Sequence, residues 1–293
     1  MSTLASSPKV ATPKSAASGL PWQLWWSQLG AILQVELRKA VWMRRSIWIY
    51  MVAFAPALFI GLRVLTTSMG GQSELHDSTD ILSGIFQVYY LRFAIFFGCL
   101  GLFSWLFRGE IVEKSLHYYF LSPMRRELLV VGKFLAGVIA SAMVFCSAFF
   151  LCFFFMYTHS GPAGRAYVFS GPGLGQLAAY MSITLLACLG YGAVFLALSL
   201  VFKNPILPGA FVLLWETFHA VLPSLLQKFS IAFYLKQLCP VTLPPDGLMA
   251  LFTVVAEPVS PWLAVPGLLL LCAAILVFAC WRIRKTEISY LAD

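Results

Sequence analysis

Charge is what this sequence has least of. Only 11% of its 293 residues are Asp, Glu, Lys or Arg, while 60% are hydrophobic, which is more apolar surface than a soluble core can hide. That balance excludes an ordinary soluble domain and points to a polytopic membrane protein. Histidine is as sparse. His76, His117, His159 and His219 fall in different segments, so they form no cluster for haem or metal. The seven cysteines are odd in number and contain no CxxC pair. Cys99, Cys146, Cys152, Cys188, Cys272 and Cys280 stand in apolar runs and read as small core residues, with no disulfide framework. Also missing are a GxxxxGK[ST] phosphate loop (Gly132-Lys133 runs on into Phe134), an HExxH helix, a paired-carboxylate metal motif and a GxSxG elbow. The apolar runs carry few polar side chains, which argues against an intramembrane enzyme. An energy-consuming task therefore needs a separate motor.

What is present reads as an all-α membrane protein. Residues 1–20 are rich in Ser, Ala, Thr, Pro and Lys and are expected to form a disordered tail. They lack the apolar core of a signal peptide, and no cleavage is expected. Over 21–46, Trp22, Trp25, Trp26, Leu29, Ile32, Leu33 and Leu37 recur at helical spacing opposite Gln23, Ser27, Gln34 and Arg38. This is an amphipathic helix suited to the headgroup region. The transmembrane domain, 47–285, holds six expected spans of roughly 20 residues or more: 47–66, 85–107, 134–157, 174–202, 206–226 and 262–281. Between the last two, 227–261 carries Ile231, Phe233 and Tyr234, then Pro240 and Pro244-Pro245, then Leu248, Met249 and Phe252. These form two helices too short to span, expected to be re-entrant or interfacial caps on the outer face. Residues 286–293 form a second tail.

Fifteen of the twenty Lys and Arg residues fall on the side that holds both termini and segment 108–133. The positive-inside rule makes that side cytoplasmic. Loop 68–80, with Glu74, Asp77 and Asp80, is then external. The net charge of +8 is thus a topology signal, and no nucleic-acid partner is inferred.

Segment 108–133, RGEIVEKSLHYYFLSPMRRELLVVGK, is a mixed-charge aromatic island between two apolar runs. Pro123 lacks an amide donor and turns Ser122 away from helix, so the segment reads as a short helix, a turn and a restart. It is longer than an ordinary connection and suits a docking surface; the plainer reading is a solvated loop that obeys topology. Inside the membrane, Glu216 has His219 three residues on along the same helical face, and Arg92 lies in the outer half of span two. A charge at a helix centre costs about 2.5–3.5 kcal/mol, so each needs a partner. An Arg92–Glu216 ion pair, contact with a translocated substrate and a proton relay through Glu216 and His219 all meet that need. Arg63 lies near a span end and snorkels.

Glu110-x-x-Glu113, Leu121-Ser122-Pro123-Met124-Arg125-Arg126 and Gly132-Lys133-Phe134-Leu135-Ala136 are similar to the acidic start, the P-x-x-R step and the GK-x-x-A lead-in to span three of type 2 ABC transporter permeases. With the order of parts, the resemblance covers roughly Trp22 to Lys285. It implies an elbow helix at 21–46, a coupling helix in 108–133, and an exporter subunit in the cell's inner (plasma) membrane. It also implies a second permease copy, homo- or heterodimeric, and an ABC ATP-binding subunit as partners. That subunit would hold ATP-Mg, leaving this chain with no cofactor and no catalytic residue of its own. Glu110, Glu113, Tyr118, Pro123 and Arg126 would couple to the motor, while Arg92, Glu216 and His219 would line the translocation path or its gate. The alternatives are a proton-coupled secondary transporter using Glu216 and His219, and a membrane-bound enzyme.

Overall fold

The structure, a computed structural model, describes residues 22–42, 46–67, 75–112, 125–202, 204–218, 223–241 and 260–285. Every regular element among them is helical. Helix α1 (Trp22–Trp42) precedes α2 (Ser46–Thr67). Then α3 (Leu75–Gly84), a π-helical stretch (Ile85–Ala94) and α4 (Ile95–Val112) run on from one another, with helical backbone at both junctions. After them come α5 (Arg126–His159), α6 (Gly161–Ser170), α7 (Gly173–Val201), α8 (Ile206–Phe218), α9 (Ser224–Gln227), α10 (Ile231–Leu238) and α11 (Pro261–Arg284).

Five helices are long and apolar enough to cross a bilayer: Ser46–Leu65, Ser78–Glu110, Arg126–Thr158, Gly173–Val201 and Pro261–Arg284. They match the expected spans one to four and the last. Of the fifth expected span, 206–226, residues 219–222 lie outside the described residues. Its described helix, α8, has 13 residues and is about 20 Å long, short of a roughly 30 Å hydrocarbon core. Near its described end Glu216 is engaged by the start of α10. Three further boundaries move. Helix α5 begins at Arg126, so residues 126–133 of the expected island are the first turns of a span. The rod of span two begins at Leu75, inside the expected external loop. Finally, α6 stands between spans three and four, entered through Gly161 at φ +62° and Pro162 in its first turn. The tails 1–20 and 286–293, residues 113–124 of the island and the second expected external helix lie outside the described residues.

Helix α7 is the axis of the bundle. It is apolar all round, as a helix enclosed by others must be, and 67% of its span is buried against 22% for α2 and for α11. Lipid tails give helices no hydrophobic reason to associate, so close packing through small residues has to hold them. Phe103 of α4 shows the device. Its ring is fully buried between Gly137 of α5 and Gly192 of α7, where an added Cβ would stand 2.5 Å from the ring on either side. Farther along the same helices, Phe86, Tyr90, Phe149 and Tyr180 pack edge-on and tilted, with neighbouring centroids 4.4 to 5.6 Å apart.

One polar contact explains how α2 keeps a proline at its centre. Pro56 has no amide hydrogen, so the carbonyl four residues back, that of Val52, loses its helical donor. Inside a membrane no water replaces it. The Tyr89 hydroxyl donates to that carbonyl at 2.7 Å, and the Tyr90 hydroxyl donates to the next one, Ala53, at 2.8 Å. Consecutive residues reach consecutive carbonyls from the π-helical stretch, whose wider turn is a frequent mark of functional positions. Replacing Tyr89 with Phe is expected to cost about 1–3 kcal/mol, the usual penalty for orphaning a buried carbonyl, read as a lowered thermal midpoint in detergent. In a Pro56→Ala background, where the alanine amide serves Val52, most of that loss should vanish. Equal losses in both backgrounds would rule out the hydroxyl as the missing donor.

Candidate functional site

Ile32, Glu36 and Lys39 lie at i, i+4 and i+7 of α1, on one face. Ile32 meets α5 at Gly132, where an added Cβ would come within 2.8 Å of its methyl carbon. This close approach brings Glu36 beside Lys133, the residue after the glycine. The Lys133 side chain is 0% exposed, and its three ammonium hydrogens have three acceptors. Glu36 Oε1 lies at 2.9 Å, Glu110 Oε1 at 2.8 Å and the Leu106 carbonyl at 2.9 Å. Lys39 closes the group at 3.3 Å from Glu110 and 3.7 Å from Glu36. Two carboxylates and two ammoniums thus join α1, the end of α4 and the start of α5. The net charge is zero, which is what allows ions to stay buried at all.

The start of α5 is held from two more sides. The Arg125 guanidinium lies 4.6 Å from the ring centre of Trp25 on α1, a cation–π contact. Glu127 ion-pairs with Arg284 at the end of α11, and Arg126 donates to the Arg284 carbonyl at 3.4 Å. The two helix ends that flank residues 113–124, the end of α4 and the start of α5, are therefore both clamped.

At the far end of the bundle a second polar site forms around Glu216. Its carboxylate accepts from the Ile231 amide at 3.0 Å, the Ala232 amide at 2.8 Å and the Ser230 hydroxyl at 2.9 Å. Those amides are the unsatisfied donors at the start of α10, where the helix dipole also favours a negative charge. Arg92 lines the same small cavity with Gln87, Tyr191 and Lys236, but among the described residues no ion pair joins Arg92 to Glu216. The charge that the ion-pair reading assigned to Arg92 is met by backbone amides. Protein packed around Lys236, and after it the Arg92 guanidinium, push the Lys236 pKa below its ordinary value.

Of the residues singled out from sequence, Glu110 and Arg126 come together with α1 and α11 at one end, and Arg92 and Glu216 share the cavity at the other. Glu110 is buried with its carboxylate turned inward to the two lysines. Glu113, Tyr118, Pro123 and His219 lie outside the described residues. Glu36, Lys39 and Lys133 are the members of the charge group that the sequence reading passed over. The available signal was the glutamate and lysine on the Ile32 face of α1, together with a lysine opening an apolar run that has to find a counter-ion.

Five helices long and apolar enough to cross a bilayer, tied to one another by buried charges, suggest a multi-pass membrane protein. The family model described as ABC-2 family transporter protein matches residues 32–219, most of the chain, and the chain belongs to that family. No curated protein matches it.

Lys133→Met leaves Glu36 and Glu110 facing each other in a buried site and is expected to cost about 3–5 kcal/mol, measured by thermal or chemical unfolding in detergent. The triple variant Lys133→Met, Glu36→Gln, Glu110→Gln, which removes the opposed charges together, should recover most of that stability. A triple variant no better than the single one would mean that packing, not charge, fixes the joint. At the other end, Glu216→Ala uncaps α10 and should speed hydrogen exchange at its first amides, with about 1 kcal/mol of local protection lost. Unchanged exchange at Ile231 and Ala232 would contradict the capping role.

Proposed function

We propose that this chain is the transmembrane subunit of an ATP-driven exporter, working by alternating access with a second permease copy and a separate ATP-binding subunit that binds and hydrolyses ATP-Mg. The observation that carries this reading is the Lys133 charge group. A force applied at 113–124 acts on the end of α4 and the start of α5, and the group joins both to α1. The elbow helix, span two and span three then move as one body, which is the rigid-body switching a motor-driven permease needs.

In this reading α1 is the elbow helix and 113–124 the coupling helix, with Glu113, Tyr118 and Pro123 meeting the motor. Glu110 and Arg126 act behind them, passing the displacement to α5, α1 and α11. Both termini and the charge joint are cytoplasmic, in the plasma membrane. Helix α10 is an outer re-entrant cap, and Arg92 and Glu216 stand at the outer gate. The second copy covers apolar surface on α8 and α2. There Leu207, Phe211, Leu58 and Phe59 are each at least two-thirds exposed.

Proton coupling through Glu216 and His219 is the competing mechanism. The three hydrogen bonds that Glu216 accepts favour the gate role, because protonation would remove acceptor capacity that α10 uses.

Co-purification in mild detergent with the candidate ATP-binding subunit tests the proposal. The native chain is expected to form a stable complex with ATPase activity, and a Glu113→Ala, Arg126→Ala double variant to lose assembly or most of the activity. If no ATPase associates, or the variant behaves as native, the coupling reading fails. Substrate uptake by proteoliposomes driven by a proton gradient without ATP would then support the proton-coupled alternative.

A further inference from the structure

Beside the charge joint, α1, α2 and α4 enclose a cavity of about 340 Å³, within the range of ligand sites and with their usual composition of apolar walls and a few polar groups at one end. Its polar end is Glu36, Lys39 and Glu110. Its walls include Trp48 and Val52 of α2 and Phe97, Leu102 and Trp105 of α4. From Glu110 to Phe97 the wall runs about 20 Å along the helix, a little more than half of a roughly 30 Å hydrocarbon core. The cavity is therefore as deep as one leaflet. It opens sideways, since Trp48 and Phe97 on its walls are 71% and 44% exposed.

We infer that this cavity holds one acyl chain of an anionic phospholipid from the cytoplasmic leaflet, with the headgroup phosphate at Lys39. Depth, lateral opening and apolar walls select a lipid chain. Charge selects the headgroup. Of the three charged residues in the described lining, Glu36 and Glu110 are buried with carboxylates drawn to Lys133 at 2.9 and 2.8 Å, whereas the Lys39 side chain, which pairs with the same two carboxylates at 3.7 and 3.3 Å, is 42% exposed. An incoming headgroup meets the ammonium first. The chain would then wedge between the elbow helix and spans one and two, against the joint itself. The inference rests on the orientation given by the charge count and is independent of whether an ATPase associates.

Gly101 makes the site testable. It lines the cavity, and a Cβ added there has nothing within 4 Å, so a side chain can be started at the cavity wall without a clash at its first carbon. The full chain is reconstituted into vesicles containing phosphatidylglycerol or phosphatidylcholine with a photoactivatable diazirine near the end of one acyl chain. Labelled positions are mapped by peptide mass spectrometry. In the native protein, labelling at Phe97 and Leu102 should exceed that at Met51, an exposed residue of α2 outside the cavity. Phosphatidylglycerol should label about fivefold more than phosphatidylcholine, the preference one lysine gives at a membrane surface. Gly101→Leu should cut the cavity label about tenfold and leave the Met51 label unchanged, with Gly101→Ala intermediate and the thermal midpoint confirming the fold. Lys39→Gln should abolish the headgroup preference and Lys39→Arg retain it. Cavity labelling no greater than at Met51, or unmoved by Gly101→Leu, would overturn the site. Equal labelling of the native chain by the two lipids would overturn the anionic headgroup.

Discussion

The structure depends on the burial of one ammonium, that of Lys133. No part of it touches solvent, and a lone cation in that position would carry a desolvation penalty of several kcal/mol. Compensation is supplied from two other elements: Glu36 comes from α1, and Glu110 and the Leu106 carbonyl come from α4. Since an ammonium has three hydrogens and each has its own acceptor, no helix of the three can slide without opening a bond. Apolar packing alone would not give that directional constraint, because similar helix faces in lipid tolerate small shifts at little cost. The charge group is thus better understood as fixing a geometry than as adding net stability.

Elsewhere the bundle is held by fit. Phe103 occupies the space left by two glycines on two helices, and Gly132 admits Ile32 in the same manner. Each case pairs a large side chain with the absence of one. The Pro56 contact follows the same logic in polar form, since a donor missing from α2 is replaced by a hydroxyl from the adjacent rod. Phe103, Ile32 and Tyr89 each supply what a glycine or proline on a neighbouring helix leaves out.

This pattern explains what could be seen in the sequence. Four spans and the last one were legible, because a bilayer demands a length and a composition that a single segment either has or lacks. The amphipathic character of α1 was legible for a related reason, since its tryptophans and leucines repeat at the period of one helix. The charge joint was not. Lys133 and Glu36 stand 97 residues apart, and Lys39 and Glu110 stand 71 apart, so nothing local pairs them. Glu110 could be recognised as notable, but its inward orientation could not, because Lys133 and Lys39 reach it only once α5 and α1 have packed. For Glu216 the premise that a membrane carboxylate needs a partner was sound. The partner was hidden because it is backbone: Ile231 and Ala232 contribute amides, which every residue except proline carries, and no side-chain pattern reveals them.

The two ends of the bundle therefore meet the same requirement, a buried charge, by means with opposite mechanical consequences. At the α1 end the partners are side chains on long helices that pack along much of their length, so the joint transmits displacement. At the other end a carboxylate on a 13-residue helix caps an eight-residue one, and only short elements are tied together. Under alternating access a motor pushing at the first end would move a stiff assembly. The compensating motion would fall to α2, 22% of whose span is buried, and to the α8–α10 pair. Glu216 would keep that pair together as one moving part, because separating α8 from α10 would break the three hydrogen bonds it accepts from Ser230, Ile231 and Ala232.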